Sequence, residues 1–153
     1  MEWATLPLKK YAEFEGRSRR KEYWMYVLLL IVVGIVIGVV ERALGLAALV
    51  GPYGPITALF MLATLVPSLA VGVRRLHDTN RSGWWLLIGY GPLILSLLLP
   101  LLGMAGIGLA MIVPLIALVG FIVLLVFMVL EGTRGPNQYG PDPKGEDVAT
   151  TFA

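Results

Sequence analysis

From residue 84 to residue 130 the chain runs 47 residues without a charged side chain. Helices of soluble proteins keep a polar face toward water, and strands average far fewer residues, so no soluble element absorbs such a run. A helix crossing a bilayer needs about 20 apolar residues. The run therefore holds two spans, broken between Pro100 and Gly108, and they are read as 84–99 and 107–130.

Two further stretches meet the same criterion. Residues 23–40 carry no charge and stop at Glu41-Arg42, and residues 55–73 end at Arg74-Arg75. Composition agrees: 58% of the residues are hydrophobic, 14% are charged, and the mean hydropathy is +0.81. Soluble domains carry about 25% charged residues. The leucine, isoleucine and valine runs do not alternate as the strands of a membrane barrel do. The fold class is all-α, a polytopic membrane protein with four transmembrane helices. A single membrane domain is expected over residues 1–143, with a flexible tail over 144–153. The chain has no cysteine, which excludes disulfides and thiolate chemistry.

The basic residues set the expected orientation. Lys9, Lys10, Arg17, Arg19, Arg20 and Lys21 precede the first span, Arg74, Arg75 and Arg81 lie between the second and third, and Arg134 and Lys144 follow the fourth. Only Arg42 is left for the other side. By the positive-inside rule both termini are expected in the cytoplasm. A cleaved signal peptide is the rival reading of the first span, but its leader and apolar run are both too long. At the helix ends, Ser18 and Ser82 are candidate N-caps and Gly132 is a candidate C′ glycine. Pro67, Pro92 and Pro114 fall inside spans, where neighbouring groups must satisfy the carbonyls that proline leaves free.

Three polar segments carry nearly all the remaining signal: Phe14 to Trp24, Arg74 to Trp85, and Glu131 to Pro143. Within them, Phe14-x-Gly16-Arg17-x-Arg19-Arg20-x-Glu22-Tyr23-Trp24, Arg74-Arg75-Leu76-His77-Asp78 and Gly132-x-x-Gly135-x-Asn137-x-Tyr139-Gly140-x-Asp142-Pro143 stand in order. On these motifs the chain resembles the domain of unknown function 805 family, small bacterial inner-membrane proteins of the YhaH-like type. The resemblance covers almost the whole chain and implies a multi-pass protein of the bacterial inner (cytoplasmic) membrane. It brings no established activity and no catalytic residues.

The residues themselves support two readings. Arg17, Arg19, Arg20, Arg74, Arg75 and Arg81 are candidates for a headgroup-binding collar, since each basic residue at an anionic surface adds about 1 kcal/mol of attraction. Positive-inside topology alone also accounts for them. It does not account for His77, Asp78 and Asn80, which complete the candidate set. A carboxylate beside His77 would raise its pKa and make it a pH sensor, but adjacent helical residues do not face each other. A turn beginning near Asp78 is the simpler use of the trio. Gly132, Gly135, Asn137, Tyr139, Gly140 and Asp142 read as consecutive tight turns, with Tyr139 anchoring the tail; the segment lacks the lysine and helix of a phosphate loop. Trp3, Leu6, Leu8, Tyr11 and Phe14 can lay one face of a short helix on the membrane.

Function classes narrow accordingly. No ionisable residue falls within the four predicted spans, which argues against a coupled transporter. One histidine and no cysteine fall short of a catalytic zinc site, and no catalytic constellation is evident. No cofactor, metal or nucleic acid is expected. The reading is an integral membrane protein whose cytoplasmic face binds anionic phospholipid headgroups or a cytosolic protein partner, with a homo-oligomer possible. The alternatives are a small passive channel or transporter subunit and, behind it, an enzyme acting on lipid headgroups.

Overall fold

A computed structural model describes residues 2–47, 49–50 and 52–145. Among them the elements are helical: α1 (Glu2–Lys9), α2 (Arg20–Ala43), α3 (Pro55–Asp78), α4 (Leu87–Leu98) and α5 (Met104–Val129). Single 3-10 turns at Gly83–Leu86 and Leu99–Leu102 extend α4 at both ends. The four spans are Arg20–Ala43, Pro55–Asp78, Gly83–Leu102 and Met104–Val129, each long and apolar enough to cross a membrane. The tail expected from residue 144 lies, from residue 146 onward, outside the described residues.

The largest departure from the expected spans is at the end of α3, which continues from Val73 to Asp78. Hydropathy stops at Arg74, but the helix does not, because its charges find protein partners. Ser82 accepts the Trp84 amide at 3.4 Å and caps the 3-10 turn, as expected. Ser18 does not cap α2: Arg19 takes the N-cap position without a side-chain bond, and the Ser18 amide instead donates to the Arg74 carbonyl at 3.0 Å. Buried between chain segments, Ser18 is part of a helix contact rather than a helix start.

The densest packing lies at one end of the bundle, called here the basic end. Leu76, Leu124 and Met128 form the buried cluster there, with Tyr23, Leu86, Ile88, Phe121 and Phe127 packed around it. The α4–α5 hairpin closes tightly on Gly120, where a Cβ would come within 2.1 Å of the Ile88 carbonyl oxygen. Toward the far end the helices expose Val36, Val39, Leu59, Leu62 and Leu97 outward, the surface that belongs against lipid chains.

Two polar contacts satisfy backbone groups within the apolar region. Pro67 lacks an N–H, so the Ala63 carbonyl one turn earlier loses its helical donor. The Tyr11 hydroxyl supplies the missing bond at 2.7 Å. At the far end, α3 begins at Gly54-Pro55 with no capping side chain of its own. Glu41, buried at the end of α2, accepts from the Ile56 amide at 2.5 Å, the Thr57 amide at 3.0 Å and the Thr57 hydroxyl at 2.5 Å. These are donors that a helix start leaves open.

Candidate functional site

Asp78, the last residue of α3, sits between two guanidinium groups. Arg17 donates to Oδ1 through Nε at 3.1 Å, and Arg75, one turn earlier on the same helix face, donates to Oδ2. The remaining donors of Arg17 reach the Thr133 and Gly135 carbonyls at 2.5 and 2.7 Å. Those of Arg75 take the carbonyls of Met128 and Leu130, where α5 ends. The three side chains are at most 5% exposed. Two charges on one carboxylate would be costly in isolation, but carbonyl dipoles saturate both forks.

A second buried pair stands beside the first. Arg74 donates to Glu22 Oε1 at 3.2 Å and to the Glu13 carbonyl at 2.7 Å. Arg74 thus ties the segment before α2 and the first turn of α2 to α3. The pair is at most 7% exposed.

The segment after α5 folds onto the same place. The backbone of Asp78 accepts from the Thr133 amide at 2.8 Å. Asn137 Nδ2 donates to the His77 carbonyl and the Thr133 hydroxyl, both at 2.9 Å, while its Oδ1 accepts the Tyr139 amide at 2.9 Å. Asn137 and Gly140 exchange backbone bonds across the turn. Gly135 and Gly140 hold positive φ values of 74° and 138°. Asp142 accepts from the Gly135 amide at 2.8 Å and the Lys144 amide at 2.9 Å, and these bonds from Lys144 and Gly135 hold its carboxyl below the ordinary aspartate value.

Gly132 has a different role from the C′ position expected of it. Its φ is not positive. A Cβ there would lie 2.0 Å from Asp78 Oδ2, so glycine makes room for the carboxylate rather than for a left-handed turn.

The sequence expectation for the arginines was a collar facing phosphates. The structure places the guanidinia of Arg17, Arg74 and Arg75 inside, on carbonyls and carboxylates. Arg19 donates to the Pro143 carbonyl and lies over Trp3, 5.1 Å from the ring centroid. Arg20 pairs with Glu131 at 2.9 Å in the open. Arg81 bonds the Thr79 carbonyl and covers Phe127 at 4.1 Å. Asn80 takes φ 57° in the turn after α3 and has an exposed side chain; asparagine tolerates that left-handed region well.

The His77 ring makes no contact with Asp78, and among the described residues no carboxylate bonds it as a pH sensor would need. Its Nδ1 lies 3.1 Å from the Gly16 carbonyl oxygen, and its ring stacks on Tyr139. A carbonyl only accepts, so Nδ1 carries the proton and Nε2 keeps its lone pair. The ring also lines a cleft of about 810 Å³ between α3 and the α4 arm. Leu65, Leu69, Val73 and His77 form its α3 wall; Trp84, Leu87, Tyr90 and Ile94 are among the residues opposite, and Phe14 and Glu15 lie at its polar end. The α3 wall repeats every fourth residue, one face of a helix. Across twelve residues it descends about 18 Å, close to the roughly 15 Å thickness of half a bilayer core.

Among the described residues no group of three or more His, Asp or Glu side chains gathers to hold a metal. Sequence reasoning named Glu22, Glu41, Tyr11 and Phe14 without the contacts they make, and gave Glu15 no role. Glu22 carried a signal, as an acid at the threshold of an apolar span. Gly54-Pro55 carried another, a helix start with no capping side chain.

A family model described as "Protein of unknown function (DUF805)" matches residues 11–141. The chain belongs to this family. The match takes in all three arginine-bearing segments of the DUF805 chain. It is 42% identical over 144 residues to the inner membrane protein YhaI of Escherichia coli (strain K12), covering 94% of this chain and 97% of that one. To the inner membrane protein YhaH of the same organism it is 36% identical over 146 residues, covering 95% and 99%. It is also 34% identical over 134 residues to the uncharacterized protein YiiR, covering 84% of each. No solved structure matches. With four membrane-crossing helices and these relatives, this DUF805 chain is a multi-pass inner-membrane protein.

Proposed function

We propose that the protein binds a membrane lipid from the cytoplasmic leaflet, its acyl chain in the cleft between α3 and the α4 arm and its headgroup at the basic end. The single observation that carries this reading is the cleft's dimension: an apolar wall about one leaflet deep, with His77 and Glu15 at one end and Leu65 and Ile94 toward the other. Its volume of about 810 Å³ falls in the range of ligand pockets, roughly 300–1,000 Å³. The arginine and aspartate cluster then acts as the rigid support of that end. Cytoplasmic placement of the basic end rests on the distribution of lysine and arginine.

A phospholipid with a photoreactive group in its acyl chain tests the reading. Adducts at Leu65, Leu69 and Val73 should exceed those on Val36 and Val39, which are exposed on α2 outside the cleft. Leu65→Trp, filling the deep end, should abolish the excess. Labelling spread evenly over all exposed apolar residues would overturn the proposal.

A second reading, an anionic headgroup or a cytosolic partner on the outward basic groups, is supported by one feature. Arg134 and Lys144 border a polar hollow of about 310 Å³ that Asp78, Glu131 and Asp142 also line, and neither basic side chain makes a hydrogen bond or ion pair among the described residues.

A further inference from the structure

We infer that the mouth of the cleft selects a lipid headgroup carrying a positively charged amine. This rests on the lipid reading above and names the headgroup class it takes. Four groups at the mouth share one preference. Glu15 lines the cleft on an exposed stretch of chain, and its carboxylate has no hydrogen bond or ion pair among the described residues. His77 has its Nδ1 proton on the Gly16 carbonyl, so the other ring nitrogen is an acceptor. Phe14 and Trp84 add two aromatic rings to the lining, 41% and 78% exposed.

An ammonium group is the headgroup chemistry that each of the four favours. It donates to the carboxylate and to the imidazole, and it is attracted to the negative faces of aromatic rings. Among the described residues no lysine or arginine lines the cleft. A headgroup with only phosphate and hydroxyls would face an unpaired carboxylate and two aromatic faces with no cation to offset them. Arg17, Arg74 and Arg75 cannot compensate, because their guanidinium groups are buried on protein acceptors, and Arg134 borders a different hollow.

The test is a competition. The full chain is reconstituted in nanodiscs of equal parts phosphatidylethanolamine and phosphatidylglycerol with identical acyl chains, and the lipids it retains are read by native mass spectrometry. The wild type should retain the amine lipid over the glycerol lipid by about fivefold or more, as cation–π and ion-pair attraction at a partly exposed site imply. Glu15→Gln should bring the ratio close to one by lowering retention of the amine lipid, and Trp84→Leu should lower it part of the way. Both side chains are exposed, so neither change threatens the fold. An equal ratio in the wild type, a preference for the glycerol lipid, or a preference that survives Glu15→Gln overturns the inference with the cleft itself intact. If Leu65→Trp leaves the total retained lipid unchanged, the cleft reading fails and the headgroup inference falls with it.

Discussion

Tyr139 lies flat against His77, ring centroids 3.9 Å apart and planes within 2° of parallel. The same histidine holds the Gly16 carbonyl through its ring and the Asn137 amide through its backbone. One residue at the end of α3 thus joins the segment before α2 to the segment after α5. Asp78 does the same with charge, and the two work side by side without touching.

That charge sharing makes Asp78 the most sensitive position. Asp78→Asn leaves two buried guanidinium groups without a carboxylate, and breaking a buried pair costs about 3–5 kcal/mol. Arg20→Ala removes an open pair and should cost less than about 1 kcal/mol. Denaturant unfolding in micelles, followed by tryptophan fluorescence, separates the two. Gly132→Ala, whose Cβ would push into the Asp78 carboxylate, should destabilise too, and its effect should not add to that of Asp78→Asn.

The contact between Tyr11 and the Ala63 carbonyl gives a cycle of variants. Tyr11→Phe removes the donor and should cost about 1 kcal/mol. In a Pro67→Ala background, residue 67 regains its own amide, and the cost of Tyr11→Phe should shrink toward zero. An undiminished cost in that background would separate the tyrosine from the proline.

Glu41 has its consequence at the other end of the bundle. Glu41→Ala strips the Ile56 and Thr57 amides of their acceptor and should cost about 1–2 kcal/mol, as lost helix caps do. Glu41→Gln, which keeps an acceptor oxygen, should cost less. Thermal unfolding of the three proteins in one detergent gives the comparison.

The turn around Asp142 should respond to acid only. Its carboxyl titrates lower in the folded chain than its ordinary value of 3.8, so its contribution is complete above about pH 4 and is lost as the pH falls through the lowered value. The Gly135 amide resonance should therefore hold steady from pH 7 to about 5 and move only below that. Asp142→Asn should remove the transition. Movement between pH 6 and 7 would assign the turn to a different group.

Orientation is tested directly by reporter fusions. Fusions at Phe152 and near Gly51 should report from opposite sides of the membrane, with Phe152 inside, because the lysines and arginines gather at the end that holds the segments before α2 and after α5. Phe152 reporting from outside would move the basic end, and the proposed lipid site, to the other leaflet.

The spans were legible because hydropathy is a local property, and each predicted span falls within or closely beside a helix. The end of α3 was not. Arg74 and Arg75 read as a stop, since the carboxylate that pairs with Arg74 lies 52 residues away at Glu22 and the Met128 carbonyl that helps receive Arg75, beside its local partner Asp78, lies 53 residues away. Ser18 misled for a related reason: its amide serves a carbonyl on another helix, and cap preference knows only the local chain. The three polar motifs announced that they mattered, but not that their charges turn inward. The cleft was illegible altogether, because Glu15 and Trp84 become neighbours of one space only when α3 and α4 are packed.

Arg17 bonds Gly135, 118 positions further along the chain. A ribosome adding about 5–20 residues per second needs roughly 6–24 s to make that stretch. Arg17 through that interval, and Arg75 from its own synthesis onward, must stay hydrated at the membrane surface, because the carbonyls of Met128, Leu130, Thr133 and Gly135 that receive them have yet to be synthesised. Closure of the basic end is therefore the last act of biogenesis. A chain cut short before residue 133 would hold its apolar helices in the membrane yet lack the carbonyls of Thr133 and Gly135 that receive Arg17.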